Sequence, residues 1–258
     1  MLPGVAWAGL ETAQSLRLSR VDPLHTASDN LPLHCTDTMF YDTAADNHGL
    51  KHNPFKALIV PRPIGWIGTR SMAGICNLAP YSFFNAVSDQ PPVVMFASAG
   101  HKDSLANIEE TGEFTCSLAN WDLRDQMNLS SAPVLPEVDE FGLAGLTAAP
   151  STMVKVPWVK ESPAAFECRH WKTIEMPVQP GKIPYVVVFG QVVGVHIDDR
   201  FIKEGVVDTG AMRPLARLGY MDYGVITPET LFTLNRPTTG PDKRTAEVKP
   251  GPWDGVYR

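Results

Sequence analysis

Apolar and polar positions alternate in short bursts along most of this chain, and glycine or proline closes nearly every burst. Residues 57–60, 64–69, 75–78, 93–97, 113–118, 165–171 and 185–197 carry the β-branched and aromatic content of strands. Ser71-Met72-Ala73-Gly74 reads as a hairpin-type link between two of them. The last run, YVVVFGQVVGVHI, suits a strand bent at Gly190 and Gly194, where a missing side chain permits sharp curvature. Many short strands separated by turn signals predict an all-β barrel or sandwich.

Two or three helices interrupt this pattern. The first is capped by Asp103 or Ser104, runs through Glu110 and ends on a left-handed Gly112, with Leu105, Ile108 and Ala106 toward the core. The others are expected over 122–129 and 139–145. No internal repeat is visible. Residues 237–258 are rich in proline, glycine and charge and read as an extended or mobile arm. Residues 1–38 read as a disordered extension, with a short docking helix over 9–18 as the other option. No basic stretch precedes their apolar start, so a secretory signal is not expected.

Composition narrows the class. The 258 residues suit one large domain with extensions, and 44% apolar residues suffice for a buried core. A net charge of −6 argues against a nucleic-acid or anionic-membrane surface, though it leaves room for a local basic pocket. Cysteines 35, 76, 116 and 168 form no C-x-x-C pair, so reduced, buried thiols in a cytoplasmic protein are expected. No apolar run approaches the roughly 18 residues of a membrane span. The G-x-G-x-x-G, P-loop, H-E-x-x-H and G-x-S-x-G patterns are all absent. His48, His52, His101, His170 and His196 occupy loops or strand positions and receive no catalytic role.

The chemistry concentrates in residues 61–104. Lys102-Asp103-Ser104 stands at a helix start, where unpaired backbone N–H groups and a partial positive charge make a phosphate seat. The plainer reading is a capping aspartate beside a solvated lysine. Asn77 to Asn85 leaves a strand and turns at Pro80. Alternation puts Asn77 and Ala79 on one side, Ser82 can donate to a phosphate, and Phe83 and Phe84 either line a ring site or fill the core. Asn77 and Asn85 carry amides able to pair with a pyrimidine edge. Arg62, stiffened between Pro61 and Pro63, is either a cation that tunes a bound ring or a surface arginine. Gly65, Gly68 and Thr69 would let backbone approach a flat ligand.

The phrases PRPIGWIGT, NLAPYSFFNAVS, PPVVMFAS and HKDSLANIEETGEF, followed by DEFGLAGL, ESPAAFEC and RPLARLGYMDYG, resemble the flavin reductase-like family in its flavoredoxin-type branch, from about Met39 to Tyr223. The resemblance implies a mainly β, Greek-key split β-barrel with a few short helices. The barrel domain would span 39–236, between an extension at 1–38 and an arm at 237–258. It implies FMN, held near the interface of a homodimer. Arg62, Thr69, Asn77, Ala79, Ser82 and Phe83 would surround the ring and ribityl chain. Ser98, Lys102, Asp103 and Ser104 would sit by the phosphate, where relatives often carry Thr in place of Ser104. Arg217 and Tyr223 come from the late motif. The implied activity passes hydride from NADH or NADPH through FMN to a free flavin, a monooxygenase partner or a small molecule, without a catalytic side chain. A non-enzymatic FMN-holding electron carrier and an interaction protein on a degenerate barrel are the alternatives.

Overall fold

The computed structural model describes residues 38–255, so Cys35 and the expectations for 1–37 lie outside the described residues. The chain forms two compact units, Met1–Gly49 and Leu50–Arg258. In the described part of the first, the Asp46 N–H donates to the Asp42 carbonyl (3.0 Å), and Tyr41 meets the His48 ring edge-on. Everything below belongs to the second unit.

Its frame is a seven-stranded antiparallel sheet. After a short strand β1 (Arg62–Pro63) come β2 (Gly65–Arg70), β3 (Cys76–Tyr81), β4 (Phe84–Asp89), β5 (Pro92–Ala99), β6 (Glu113–Leu118), β7 (Ala164–Glu175) and β8 (Tyr185–Ile197). The sheet order is β3-β2-β6-β7-β8-β5-β4. β3 and β4 are its edges and no ladder joins them, so this is an open, split barrel. A second sheet pairs β1 with β9 (Leu215–Arg217), and β9 with β10 (Tyr223–Val225). The last described segment, expected as an extended arm, forms a two-stranded ribbon of Thr238–Thr239 with Ala246–Glu247.

Curvature comes from close approach at glycine. The β7–β8 register shifts at Gly190 and Gly194, where the bend was expected. A Cβ on Gly190 would lie 2.2 Å from the Phe114 ring, so the bend and the seating of that ring require the same missing atom.

Strand alternation divides the apolar residues into two cores. Ile67, Phe96, Phe114, Cys116, Cys168 and Val188 pack on the concave side, with Leu105 and Ile108 of helix α2 (Asp103–Thr111). Trp66 and Leu78 point the other way, to Leu123, Met127 of α3 (Arg124–Leu129) and Phe141 of α4 (Glu140–Leu143). Complete burial pushes the Cys116 thiol up to about 12.

Polar residues on the outer faces of β6 and β7 fasten the segment between α4 and β7. The Thr115 hydroxyl donates to Pro157 O (2.7 Å), Ser117 Oγ accepts from the Val159 N–H (3.1 Å), and Glu167 accepts from the N–H groups of Thr152, Met153 and Val154. His196 Nε2 lies 2.5 Å from Glu167 Oε1 and its ring stacks on Trp158. Burial alone would raise the Glu167 carboxyl, but these hydrogen bonds outweigh it and hold the group below its ordinary value.

Three local expectations are corrected. Residues 57–60 are not a strand. Phe55–Leu58 is a helical turn, α1, because Pro54 starts it and Arg62 takes up the carbonyls of Lys56 and Ile59 at its end. The N-cap of α2 is Lys102 in extended conformation, and neither Asp103 nor Ser104 caps it. Gly112 ends α2 left-handed, as expected, at φ 72°. β4 is exposed beyond Phe84, which alone packs on the core, and escaped the alternation rule.

Glu167→Ala strands three backbone N–H groups and should cost about 3 kcal/mol at pH 7. Because the folded carboxyl is depressed, the wild-type advantage is full above the ordinary value of 4.5 and is lost as pH falls through the folded value. Denaturant melts of both proteins at pH 7 and pH 3 should show the gap closing on the acid side.

Candidate functional site

A cleft of about 500 Å³ opens beside the β3 edge, within the range of small-molecule and cofactor sites. One wall is the end of β3 and the turn after it, with Asn77, Ala79, Ser82 and Phe83. The start of α2 supplies Lys102, Asp103 and Ser104. Opposite lies the Ser130–Val134 loop, held by the Trp66 indole N–H, which donates to Ser130 Oγ (2.8 Å). β5 contributes Ala97 and Ala99, whose small side chains leave the space open. Tyr185 packs on Phe83 with ring centroids 5.6 Å apart.

Behind the wall stands a buried polar network centred on Asn77. Its Nδ2 donates to Glu140 Oε1 (2.8 Å), and Glu140 Oε2 also accepts from the Leu78 N–H (3.1 Å). Asn77 Oδ1 accepts from Ser104 Oγ (2.8 Å) and Thr69 Oγ1 (3.2 Å), and Thr69 in turn accepts from Asn107 Nδ2 (3.1 Å). Glu140 is 5% exposed, and burial pushes its carboxyl up despite these bonds, with Asp103 adding to the rise. Burial likewise raises the Tyr81 phenol, while the Ser104 and Ser98 hydroxyls beside it pull it back.

Seven of the twelve residues expected at the site therefore meet on the cleft: Asn77, Ala79, Ser82, Phe83, Lys102, Asp103 and Ser104. Five do not line it. Ser98 alternates with Ala97 and Ala99, so it turns to the other face of β5 and donates to Gly100 O. Thr69 lies under α2, one bond behind the wall. Arg62, 6% exposed, spends its guanidinium on the carbonyls of Lys56, Ile59 and Leu218, and burial followed by the Arg217 charge lowers its pKa. It still lies 5.9 Å from the Phe83 ring centroid, as does Lys56 Nζ. Arg217 and Tyr223 are cross-strand partners on β9 and β10. They stack on each other, and Arg217 donates to Tyr220 O. Asn85 is on the exposed β4 edge, away from the cleft.

Sequence reasoning missed Glu140, Lys56, Tyr185 and the Ser130–Val134 loop. Only Glu140 left a trace, next to the helix-capping Asp139, which accepts from the N–H groups of Phe141 and Gly142.

The donor set suits a phosphorylated ring. The first N–H groups of α2 have no side-chain cap and carry the helix's partial positive charge next to Lys102. Ala79, Ala97 and Ala99 leave room for a ring beside it.

Comparison with known proteins points the same way. A family model described as flavin reductase like domain matches residues 57–216. An uncharacterised protein of Aquifex aeolicus (strain VF5) is 38% identical over 172 residues, covering 64% of this chain and 85% of that protein. The crystal structure of nitrilotriacetate monooxygenase component B from Bacillus cereus superposes with a TM-score of 0.69 at 27% identity, covering 77% of this chain and all of that one. The 2-nitrobenzoate 2-nitroreductase of Pseudomonas fluorescens gives 0.67 at 27% identity, over 78% of this chain and all of its own.

Asn77→Ala takes the amide donor from the buried Glu140 and leaves it only the N–H groups of Leu78 and of its own backbone. The expected loss is about 3 kcal/mol at pH 8. The folded Glu140 carboxyl is already raised and rises further in the variant. The variant's deficit therefore grows as pH rises through that folded value and shrinks below the unfolded one. Urea melts of wild type and variant at pH 5 and pH 8 check the sign.

Proposed function

The chain belongs to the flavin reductase-like family, and on that premise we propose that it is an FMN-dependent oxidoreductase. Hydride enters from NADH or NADPH, and electrons leave to a free flavin, a monooxygenase partner or a small molecule. The observation that carries the reading is the joining, in one cleft, of an uncapped helix start bearing Lys102 with small side chains along its lining. The names of the two structural relatives, a monooxygenase component and a nitroreductase, support flavin-linked electron transfer.

Bound FMN supplies the hydride acceptor and the electron donor, so the chain needs no nucleophile. Lys102 and the first N–H groups of α2 would hold the phosphate. Ala79, Ala97 and Ala99 would admit the ring, with Phe83 and Tyr185 shielding one end from water. Lys56 and Arg62, both near Phe83, bring positive charge to that end and favour the gain of negative charge by a ligand there.

A cytoplasmic homodimer completes the proposal. Exposed Trp171, Ile174 and Val195 on β7 and β8 are the apolar surface that a second copy would cover. Among the described residues no helix is long and apolar enough to cross a membrane.

The purified protein incubated with FMN should retain about one flavin per chain, and NADH or NADPH should bleach the bound flavin under anaerobic conditions. Lys102→Ala should weaken FMN binding about tenfold by removing a charge-assisted contact. Failure to bind FMN would overturn the reading. Tight binding with slow reduction by both nucleotides would make the protein an electron carrier instead.

A further inference from the structure

We propose that Glu140 is a positioning residue that sets the direction of the hydrogen-bond chain behind the cleft, so that Ser104 meets a bound phosphate with its proton already committed elsewhere. This rests on the flavin reading above. A buried carboxylate accepts only. The Asn77 atom 2.8 Å from Glu140 Oε1 must therefore be the amide nitrogen, which turns the amide oxygen toward Ser104 and Thr69. An amide oxygen cannot donate, so both hydroxyls must. Thr69 is compensated by the Asn107 amide, which donates to it. The single Ser104 proton goes to Asn77, its oxygen is left to accept from the Tyr81 phenol beside it, and what Ser104 offers the cleft is its backbone N–H at the start of α2.

Making the group at position 140 neutral reverses the chain. In Glu140→Gln the new side-chain oxygen takes the Leu78 N–H, and the new NH₂ needs an acceptor. The Asn77 amide supplies one only by turning over. Its nitrogen then faces Ser104 and Thr69, and the Ser104 proton is released toward the cleft. Protonation of Glu140 does the same. The ionisable groups around Glu140 are Asp103 on α2, whose charge raises the Glu140 carboxyl, and Tyr81 on β3, with Lys102 beside Asp103 at the cleft.

The test is a double-mutant cycle read by FMN dissociation constants from quenching of flavin fluorescence. At pH 8, Ser104→Ala in the wild-type background should change the constant by less than about twofold, because no proton donated to phosphate is lost. In the Glu140→Gln background the same change should weaken FMN about tenfold. Equal effects in the two backgrounds overturn the inference, since a purely structural Glu140 would alter stability in both without coupling to Ser104. If Glu140→Gln does not fold, pH does the work. The ratio of constants for Ser104→Ala and wild type, in which titration of the phosphate cancels, should rise as pH is lowered from 8 to 5. A flat ratio overturns the inference. Loss of FMN binding by the wild type itself would instead remove the flavin reading, and this proposal with it.

Discussion

The Asn77 side chain is the point on which the cleft depends. Its amide joins four elements, two of them far from β3 in sequence. It leaves β3, reaches Glu140 at the start of α4, and receives Ser104 from α2 and Thr69 from β2. A buried network of this kind stabilises only when every member is satisfied, because an unpaired polar group in a low-dielectric setting costs more than a single bond returns. The network therefore fixes α2 and α4 against the sheet edge with little tolerance. Both line the cleft.

The strands were legible where side chains alternate and glycine marks the bends, so residues 113–118 and 185–197 fall where the pattern put them. The same rule failed at 57–60. Four apolar residues read alike as strand or helix, and the decisive partner, Arg62, acts through carbonyls that no sequence pattern displays. It also missed Phe84–Asp89, an edge strand exposed over most of its length. At the site, the local segments 77–83 and 102–104 could be read because consecutive residues share one surface. Ser98 was misplaced by one step of strand parity, and Thr69 by one layer of depth. Arg62, Arg217 and Tyr223 carry the right chemistry but satisfy one another's strands and turns. Glu140 was out of reach, since an acidic residue in a first helical turn ordinarily faces water. Its burial comes from contacts more than 60 positions away.

The two cores divide the labour of the fold. The concave one closes over α2 through Leu105 and Ile108, and so supports the helix start that faces the cleft. The outer one carries α3 and α4, and through Trp66 and Ser130 it holds the loop opposite. Polar fasteners on β6 and β7, Glu167 foremost, tie down the long connection between α4 and β7 without adding apolar bulk to a face already covered.

β5 serves both purposes at once. Val94, Phe96 and Ser98 face inward, while Ala97 and Ala99 border the open space. Methyl-sized residues at the second set separate the dimensions of the slot from the integrity of the interior. Lineages descending from such a strand are free to trade bulk at those two sites and thereby change which molecules are admitted, while the packed interior is inherited intact.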